Sequence, residues 1–331
     1  MEAIRPILLQ ELFETTPNPM SVISTVPSAL PPKRLAKYQN ELVFVEMKSY
    51  DAALAAQPSG SEIYKRVSEI ALMLGSPQPG DLRVLRCRGW YEDIRSHHFC
   101  FVFHLPPEST VNVEPGWEER MTPKSLWAYI LSDYLPSLTA RIRLACLLAK
   151  SVYNIHATGW LHKGVRSENI LFFPANPNAP RSLDSPRLAG FDFARRDGPN
   201  EHSEKPINTD TNLYRHPDAL RDPTTRFTKI HEYYSLGIVL VEIAQWRPMR
   251  HIMRNHQNLQ GVECKENDIK DVQGILLDIN SEENYLGDVE FRMGTIYRGV
   301  VELCLRGNFG SGDLLAAFSE GVVAQLDRCV I

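Results

Sequence analysis

Residues 160–173, WLHKGVRSENILFF, combine a histidine, basic side chains and an asparagine at a spacing that suits the handling of phosphate. Phosphoryl transfer relies on positioning and on neutralising charge. An active site for this reaction usually contains a lysine that binds the phosphates and an aspartate that orients the attacking hydroxyl. It also contains an asparagine and a second aspartate that bind Mg²⁺. The stretch supplies an asparagine, Asn169, and contains no aspartate. Whether the chain can transfer phosphate therefore depends on what replaces the missing carboxylates.

The same stretch resembles the catalytic loop of protein kinases, whose pattern is His-Arg-Asp-Leu followed by an asparagine. His162, Arg166 and Asn169 are retained loop residues in this comparison, and Lys163 stands at the arginine. Gly164 stands where the catalytic aspartate is expected. Because glycine has no side chain that could accept a proton, the resemblance implies that conventional catalysis is lost. We therefore assign no catalytic residue.

A second motif, RLAGFDFAR at residues 187–195, resembles the strand and turn around the Asp-Phe-Gly motif of kinases. Gly190 takes the place of the metal-binding aspartate, and Asp192 stands where glycine is expected. Residues two apart on a strand share a face, so Asp192 could reach the same cleft, and an exposed or capping aspartate is the alternative. An asparagine without a carboxylate is a weak Mg²⁺ ligand. We therefore assign no metal site and do not expect Mg²⁺ to bind well.

The resemblance places Lys48, at the end of the β-rich run 41–48, at the phosphate-binding lysine of the small lobe. Glu69 and Glu62 are both candidates to pair with it, and the family register favours Glu69. Residues 28–44 contain no glycine, so backbone N–H groups there cannot approach phosphates as in a glycine-rich loop. ATP is the candidate cofactor, and we expect it to bind weakly. The candidate nucleotide-binding residues are Lys48, Glu69, Asn169 and Asp192.

Two later segments continue the resemblance. LYRHPD, at 213–218, is similar to the end of the activation segment, and EYYSLGIVLVEI, at 232–243, is similar to the central helix of the large lobe. The resemblance implies that Asp218 is a buried acid paired with an arginine, for which Arg306 is one candidate. It also implies that Glu232 caps its helix and holds the catalytic-loop backbone.

These motifs stand in the order of a bilobal protein-kinase-like fold, an α+β class with a small β-rich N-lobe and a helical C-lobe. We expect a linker-like segment over residues 1–39, the N-lobe over 40–106, and the hinge with the C-lobe over 107–331. Apolar periodicity predicts a helix over 61–75. Its predicted apolar face comprises Ile63, Val67, Ile70, Leu72 and Leu74.

Four segments of the chain resemble the corresponding segments of one narrower group. They are RLAKYQNELVFVEMK, GFDFAR, YRHPD and the tail LCLRGNFGSG…VVAQLDRCVI. This group is the fungal kinase-like domain found C-terminal to HeLo-type prion-inhibition domains in heterokaryon-incompatibility and cell-death proteins. No helical pattern of the HeLo type precedes residue 40, so we expect the effector half to be absent, lost or supplied elsewhere. The resemblance implies a pseudokinase that regulates or scaffolds a protein partner in fungal self-recognition or cell-death signalling.

Three other functions remain open at this point. The first is an atypical but active protein kinase that uses Asp192, Asn169 and Glu168 to transfer phosphate from ATP. The second is a small-molecule phosphotransferase of related fold, which also needs the aspartate replaced by Gly164. The third is a degraded paralogue whose function resided in a missing N-terminal domain.

The composition of the chain limits the classes of binding partner and the cellular compartment that we expect. The chain of 331 residues has a net charge of -4 and a pI near 6.2, which does not predict a basic face for nucleic acid. Its six cysteines show neither zinc-site spacing nor a disulfide framework. The longest apolar run, 233–246, is too short for a membrane span and contains Glu242. We expect a cytoplasmic protein with protein partners, no nucleic acid and no membrane span.

Overall fold

The computed structural model describes residues 33–39, 41–50, 60–76, 80–109, 121–176, 178–198, 209–222, 224–259 and 271–329. The chain divides into two compact units. The β-rich unit comprises residues 1–79, 84–123 and 173–180, and the helical unit comprises 80–83, 124–172 and 181–331. This architecture confirms the predicted α+β, bilobal kinase-like fold class. The predicted domain boundaries stay predictions, and most of the linker-like segment 1–39 lies outside the described residues.

The β-rich unit is built on a four-stranded antiparallel sheet in the order β1-β2-β4-β3. Its elements are β1 (Lys33–Tyr38), β2 (Glu41–Ser49), helix α1 (Gly60–Gly75), β3 (Cys87–Asp93) and β4 (His98–His104). Alternation along β2 directs Val43 and Val45 to one core cluster, with Val102 of β4 beside them. Phe44, between the two valines, packs edge-on against Phe173 with 5.3 Å between ring centroids. Both faces of the central strand β2 are therefore used for packing.

Helix α1 buries Val67, Ile70 and Leu74, as the periodicity predicts. The inclusion of Leu72 in this face was wrong, because its side chain is 52% exposed. Each helical residue advances by about 100°, so position 72 lies on the side opposite to 70 and 74, and Ala71 is buried instead.

The helical unit is organised around helix α5 (Lys229–Gln245), which is buried along almost its whole length as the apolar sequence predicts. This helix packs against α3 (Leu138–Ala157), α8 (Tyr285–Met293) and α9 (Thr295–Arg306). The helices of the unit are α2 (Leu126–Ile130), α3 (Leu138–Ala157), α4 (Pro217–Arg221), α5 (Lys229–Gln245), α6 (Met249–Leu259), α7 (Val272–Leu277), α8 (Tyr285–Met293), α9 (Thr295–Arg306), α10 (Leu314–Phe318) and α11 (Ala324–Arg328). None of the described helices is long and apolar enough to cross a membrane.

Short strands in the helical unit position the kinase-like loop. They are β5 (Lys124–Ser125), β6 (Trp160–Leu161), β7 (Ile170–Phe172), β8 (Pro186–Leu188) and β9 (Arg195–Arg196). Strands β5, β7 and β8 form one sheet, and β6 pairs with β9. The loop 162–169 therefore begins at one small sheet and ends at the other, so both of its ends are fixed. The run 187–193, where the sequence resembles a strand and a turn, is a strand only to Leu188 and then turns.

Candidate functional site

Glu232 of α5 holds the start of the kinase-like loop. Its carboxylate accepts the backbone N–H of His162, at 3.0 Å from both oxygens, and that of Lys163, at 3.2 Å from Oε1. His156 of α3 lies with Nε2 2.9 Å from Oε2. The predicted anchoring of the loop by Glu232 is thus confirmed. The predicted helix cap is wrong, because Thr228 is the N-cap residue of α5 and Glu232 lies within the first turn.

The environment of Glu232 favours its ionised form. Burial acts to raise the pKa of this carboxyl, but the hydrogen bond with His156 and the neighbouring His162 outweigh burial. The pKa of Glu232 therefore lies below the ordinary glutamate value. A buried carboxylate that accepts several hydrogen bonds is stable only while these donors keep their positions. The loop backbone and the charge of Glu232 consequently stabilise each other.

His162 is a packed side chain of the helical unit. It is fully buried, and its Nδ1 accepts the backbone N–H of Gly164 at 3.0 Å. Its ring lies edge-on against Phe191, with 4.2 Å between the centroids. These contacts support the interpretation that this retained histidine shapes the loop.

Asn169 fills the space between the two glycines that replace the expected aspartates. Its Nδ2 donates to the carbonyl oxygen of Gly164 at 2.7 Å. A Cβ at Gly164 would lie 2.8 Å from the Gly190 carbonyl oxygen and 3.0 Å from Asn169 Nδ2. A Cβ at Gly190 would lie 2.3–2.7 Å from three atoms of Asn169. Neither glycine can take a side chain unless its neighbours move.

Asp192 lies in a turn and not on the strand that was assumed from the sequence. Gly190 has a left-handed backbone, with φ 81° and ψ 48°, and Phe191–Phe193 form one turn of 3₁₀ helix. Asp192 is half-buried in that turn. The premise that residues 190 and 192 share a strand face was therefore wrong. Its role as a metal or nucleotide ligand stays a prediction.

The predicted nucleotide residues of the β-rich unit lie on β2 and α1. Lys48 is only 5% exposed and is paired with Phe99 across the sheet. Glu69 is half-buried on α1, with Oε1 4.0 Å from Lys65, whereas Glu62 is exposed. The pairing of Lys48 with Glu69 stays a prediction. In the helical unit, the retained Arg166 lies 3.9 Å from Glu168.

The expectation that Asp218 is a buried acid paired with Arg306 was wrong. The side chain of Asp218 is exposed, and its carboxylate lies 3.6 Å from His216 and 3.9 Å from Arg221. Arg306 instead pairs with Glu302, four residues earlier on α9, at 2.9 Å. Asp218 lies in the first turn of α4, which directs its side chain to solvent and to its immediate neighbours.

A buried network that sequence reasoning missed connects the loop to α5 and α6. The Ser167 hydroxyl lies 2.9 Å from the Tyr214 hydroxyl, which donates to Glu242 Oε1 at 2.8 Å. The backbone N–H of Met249 donates to the same oxygen at 2.7 Å. The signal available in the sequence was Glu242 itself, a glutamate inside the apolar run 233–246, because a buried acid requires hydrogen-bond partners. The network fixes the end of the loop as Glu232 fixes its start.

The buried carboxyl of Glu242 is expected to make the stability of the protein depend on pH. Burial is the main cause that raises its pKa to about 8 from the ordinary value of 4.5. A carboxyl whose pKa is raised by folding stabilises the fold at low pH, and this contribution is lost as the pH rises from about 5 to about 8. Glu242→Gln has no such titration, so we expect its stability relative to wild type to increase over that window. Denaturant unfolding at pH 5 and pH 8 measures this change, with Glu302→Gln as a surface control that shows no trend. A constant difference between Glu242→Gln and wild type contradicts the prediction.

Comparison with known proteins adds one partial match. The sequence matches no known family model. A stretch of 140 residues, 41% of the chain, is 31% identical to a serine/threonine-protein kinase-like protein of Arabidopsis thaliana. The match spans 38% of that relative's length, well under two thirds of it. The chain is kinase-like in fold and, over this stretch, in sequence.

Proposed function

We propose that this chain acts as a pseudokinase, a catalytically impaired kinase-like domain that regulates or scaffolds a protein partner. The observation that carries the proposal is the packing of Asn169 against Gly164 and Gly190. A conventional kinase needs a carboxylate at both positions, one to orient the acceptor hydroxyl and one to bind Mg²⁺. Here both carboxylates are replaced by glycines, and the space beside the glycines is filled by the asparagine side chain.

Buried glutamates fix both ends of the loop, which favours a binding role over the alternative that the chain is a degraded paralogue without a function of its own. Glu232 fixes the start of the loop through backbone N–H groups, and Glu242 fixes its end through Tyr214. Buried polar networks of this kind stabilise a fold only when their members are satisfied together. A loop that is held so firmly and has lost its carboxylates is suited to presenting a defined surface to a partner.

The biological setting belongs to the same proposal. The motif spellings resemble the fungal kinase-like domains associated with HeLo-type proteins, which favours self-recognition or cell-death signalling in the cytoplasm. In that setting the partner would be another protein, for instance a chain that carries the effector domain. This part rests on sequence resemblance, which is an associational argument. Co-purification of such an effector chain with the wild-type protein would support it.

Thermal unfolding with ATP, with and without Mg²⁺, tests the nucleotide part of the proposal. A site that is occupied at 100 times its dissociation constant adds about 2.7 kcal/mol of stability. We expect ATP to produce a much smaller shift that Mg²⁺ does not increase and that Lys48→Ala removes. Lys65→Ala is the matched control, because Lys65 is an exposed lysine of the same unit.

Each other result has a definite meaning. A large shift that requires Mg²⁺ and is lost in Asp192→Ala contradicts the proposal and favours the atypical active kinase. A shift that Lys48→Ala leaves intact contradicts the assignment of Lys48. The absence of any shift rejects nucleotide binding and leaves protein binding as the function to test.

A further inference from the structure

Three side chains of the kinds that bind metal ions meet at the junction of α4 and α5. His216 precedes α4, Asp218 lies in its first turn, and His231 lies in the first turn of α5. One ligand atom from each residue lies within 4.8 Å of the other two. His216 Nδ1 is 3.6 Å from Asp218 Oδ2, and the two imidazole rings are 4.8 Å apart between centroids. Residues at the starts of two successive helices thus form one compact cluster.

Both histidines of the cluster are buried, whereas the aspartate is exposed. His216 is 9% exposed and His231 6% exposed, with the aromatic rings of Tyr234 and Phe227 beside them. Asp218 is exposed and gives the cluster one side open to solvent.

The hydrogen bonds of the two rings show what a metal ion would replace. His216 Nδ1 accepts the backbone N–H of Asp218 at 3.2 Å, and His231 Nδ1 accepts that of Thr228 at 3.0 Å. Each ring therefore presents the lone pair of its Nδ1 to a backbone N–H. An ion bound at either Nδ1 displaces one of these amide hydrogen bonds. Coordination of a transition metal ion by several protein ligands stabilises the protein by more than these two hydrogen bonds do.

The distances fit a site that closes on its ion. Zinc ligands lie about 2.0–2.2 Å from the metal, so two ligand atoms of one tetrahedral ion are about 3.3–3.6 Å apart. The 3.6 Å between His216 Nδ1 and Asp218 Oδ2 agrees with this spacing. The ligand atoms of the whole cluster lie within 4.8 Å of one another, so the most distant pair must approach by about 1 Å. Arg221 lies 3.9 Å from Oδ1 of Asp218, which leaves Oδ2 directed at His216.

We propose that His216, Asp218 and His231 form a binding site for a divalent transition metal ion of the zinc type. Two imidazoles and one carboxylate favour Zn²⁺, Co²⁺, Ni²⁺ or Cu²⁺ over Mg²⁺ and Ca²⁺, which prefer oxygen ligands. Three protein ligands leave a fourth position for water or for a side chain of a bound protein. The ion would join α4 to the start of α5, next to Glu232, which holds the kinase-like loop. The inference does not depend on whether the chain is a pseudokinase.

Competition with a chromophoric chelator tests the site. Chelator-treated full-length protein is titrated with Zn²⁺, and we expect one bound equivalent in wild type. Asp218→Asn and His216→Gln remove proposed ligands, so the affinity should fall by more than the 10–100-fold that is typical for loss of an indirect partner. His251→Gln, at an exposed histidine of the same unit outside the cluster, should bind as wild type does.

Asp218→Asn keeps the test interpretable if the buried His216 variant fails to fold, since Asp218 is exposed. Circular dichroism of each variant without metal confirms the fold. Affinity that is the same in wild type, Asp218→Asn and His251→Gln means an adventitious ion only and overturns the proposal. Failure of the wild type to compete with the chelator for Zn²⁺ also overturns it.

Discussion

Gly190→Ala is expected to lower the free energy of unfolding by about 2–5 kcal/mol. Two costs add in this variant. The backbone at Gly190 has φ 81°, a left-handed conformation that costs a residue with a Cβ about 1–2 kcal/mol. The new Cβ would also lie 2.3–2.7 Å from atoms of Asn169, and overpacking of this kind costs about 1–3 kcal/mol. Denaturant unfolding gives the value directly.

Gly159→Ala separates the two costs. Gly159 has nearly the same φ, 77°, but a Cβ there would meet nothing within 4 Å. We therefore expect only the backbone cost of about 1–2 kcal/mol in this variant. Asn169→Ala should relieve the clash, so the double variant with Gly190→Ala should be more stable than the sum of the single changes implies. Equal losses at Gly190 and Gly159, with additive behaviour of the double variant, would show that Asn169 does not fill this space.

Glu232→Ala is expected to destabilise the protein by about 3–5 kcal/mol, because it removes a buried charge from its hydrogen-bond donors. The backbone N–H groups of His162 and Lys163 and the ring of His156 lose their shared acceptor. Glu302→Ala is the control on the helical unit. Its side chain forms ion pairs with Arg298 and Arg306 near the surface, and such pairs contribute about 1 kcal/mol or less.

The contribution of Glu232 also depends on pH. Its pKa is lowered in the folded protein, so its stabilising effect is present above the ordinary glutamate value of 4.5 and is lost as the pH falls through the folded value. The stability difference between wild type and Glu232→Gln should therefore shrink below pH 4.5 and be constant above it. Denaturant unfolding over this range measures the trend. A difference that stays constant into the acid range would show that the charge of Glu232 does not hold the loop.

The fold class could be predicted because its signals are local. The β-rich run 41–48 and the nearly continuous apolar run 233–246 each identify an element without knowledge of its neighbours. Leu72 was misassigned because several apolar side chains in succession blur the helical face. Motif order then placed the elements in a kinase-like arrangement. Both steps depend on patterns and on an order of motifs that a sequence displays directly.

The candidate site could be predicted only as a list of positions. Glycines at 164 and 190 show that carboxylates are missing, but the packing of Asn169 between them depends on a turn that brings separate segments together. The same limit explains the errors at Asp192 and Asp218, where a strand and a buried pair were assumed and the structure has first-turn or 3₁₀ positions. Side-chain placement in a turn depends on tertiary contacts that no local pattern records.

The most direct test of the pseudokinase proposal is phosphoryl transfer from ATP. Purified protein is incubated with millimolar ATP and excess Mg²⁺, and both ADP release and the mass of the protein are followed. Asp192→Ala serves as the background, because it removes the carboxylate on which the atypical-kinase alternative depends. The proposal predicts that wild type releases no more ADP than Asp192→Ala and gains no phosphate. Sustained transfer by wild type that Asp192→Ala abolishes would contradict it and would establish an active kinase.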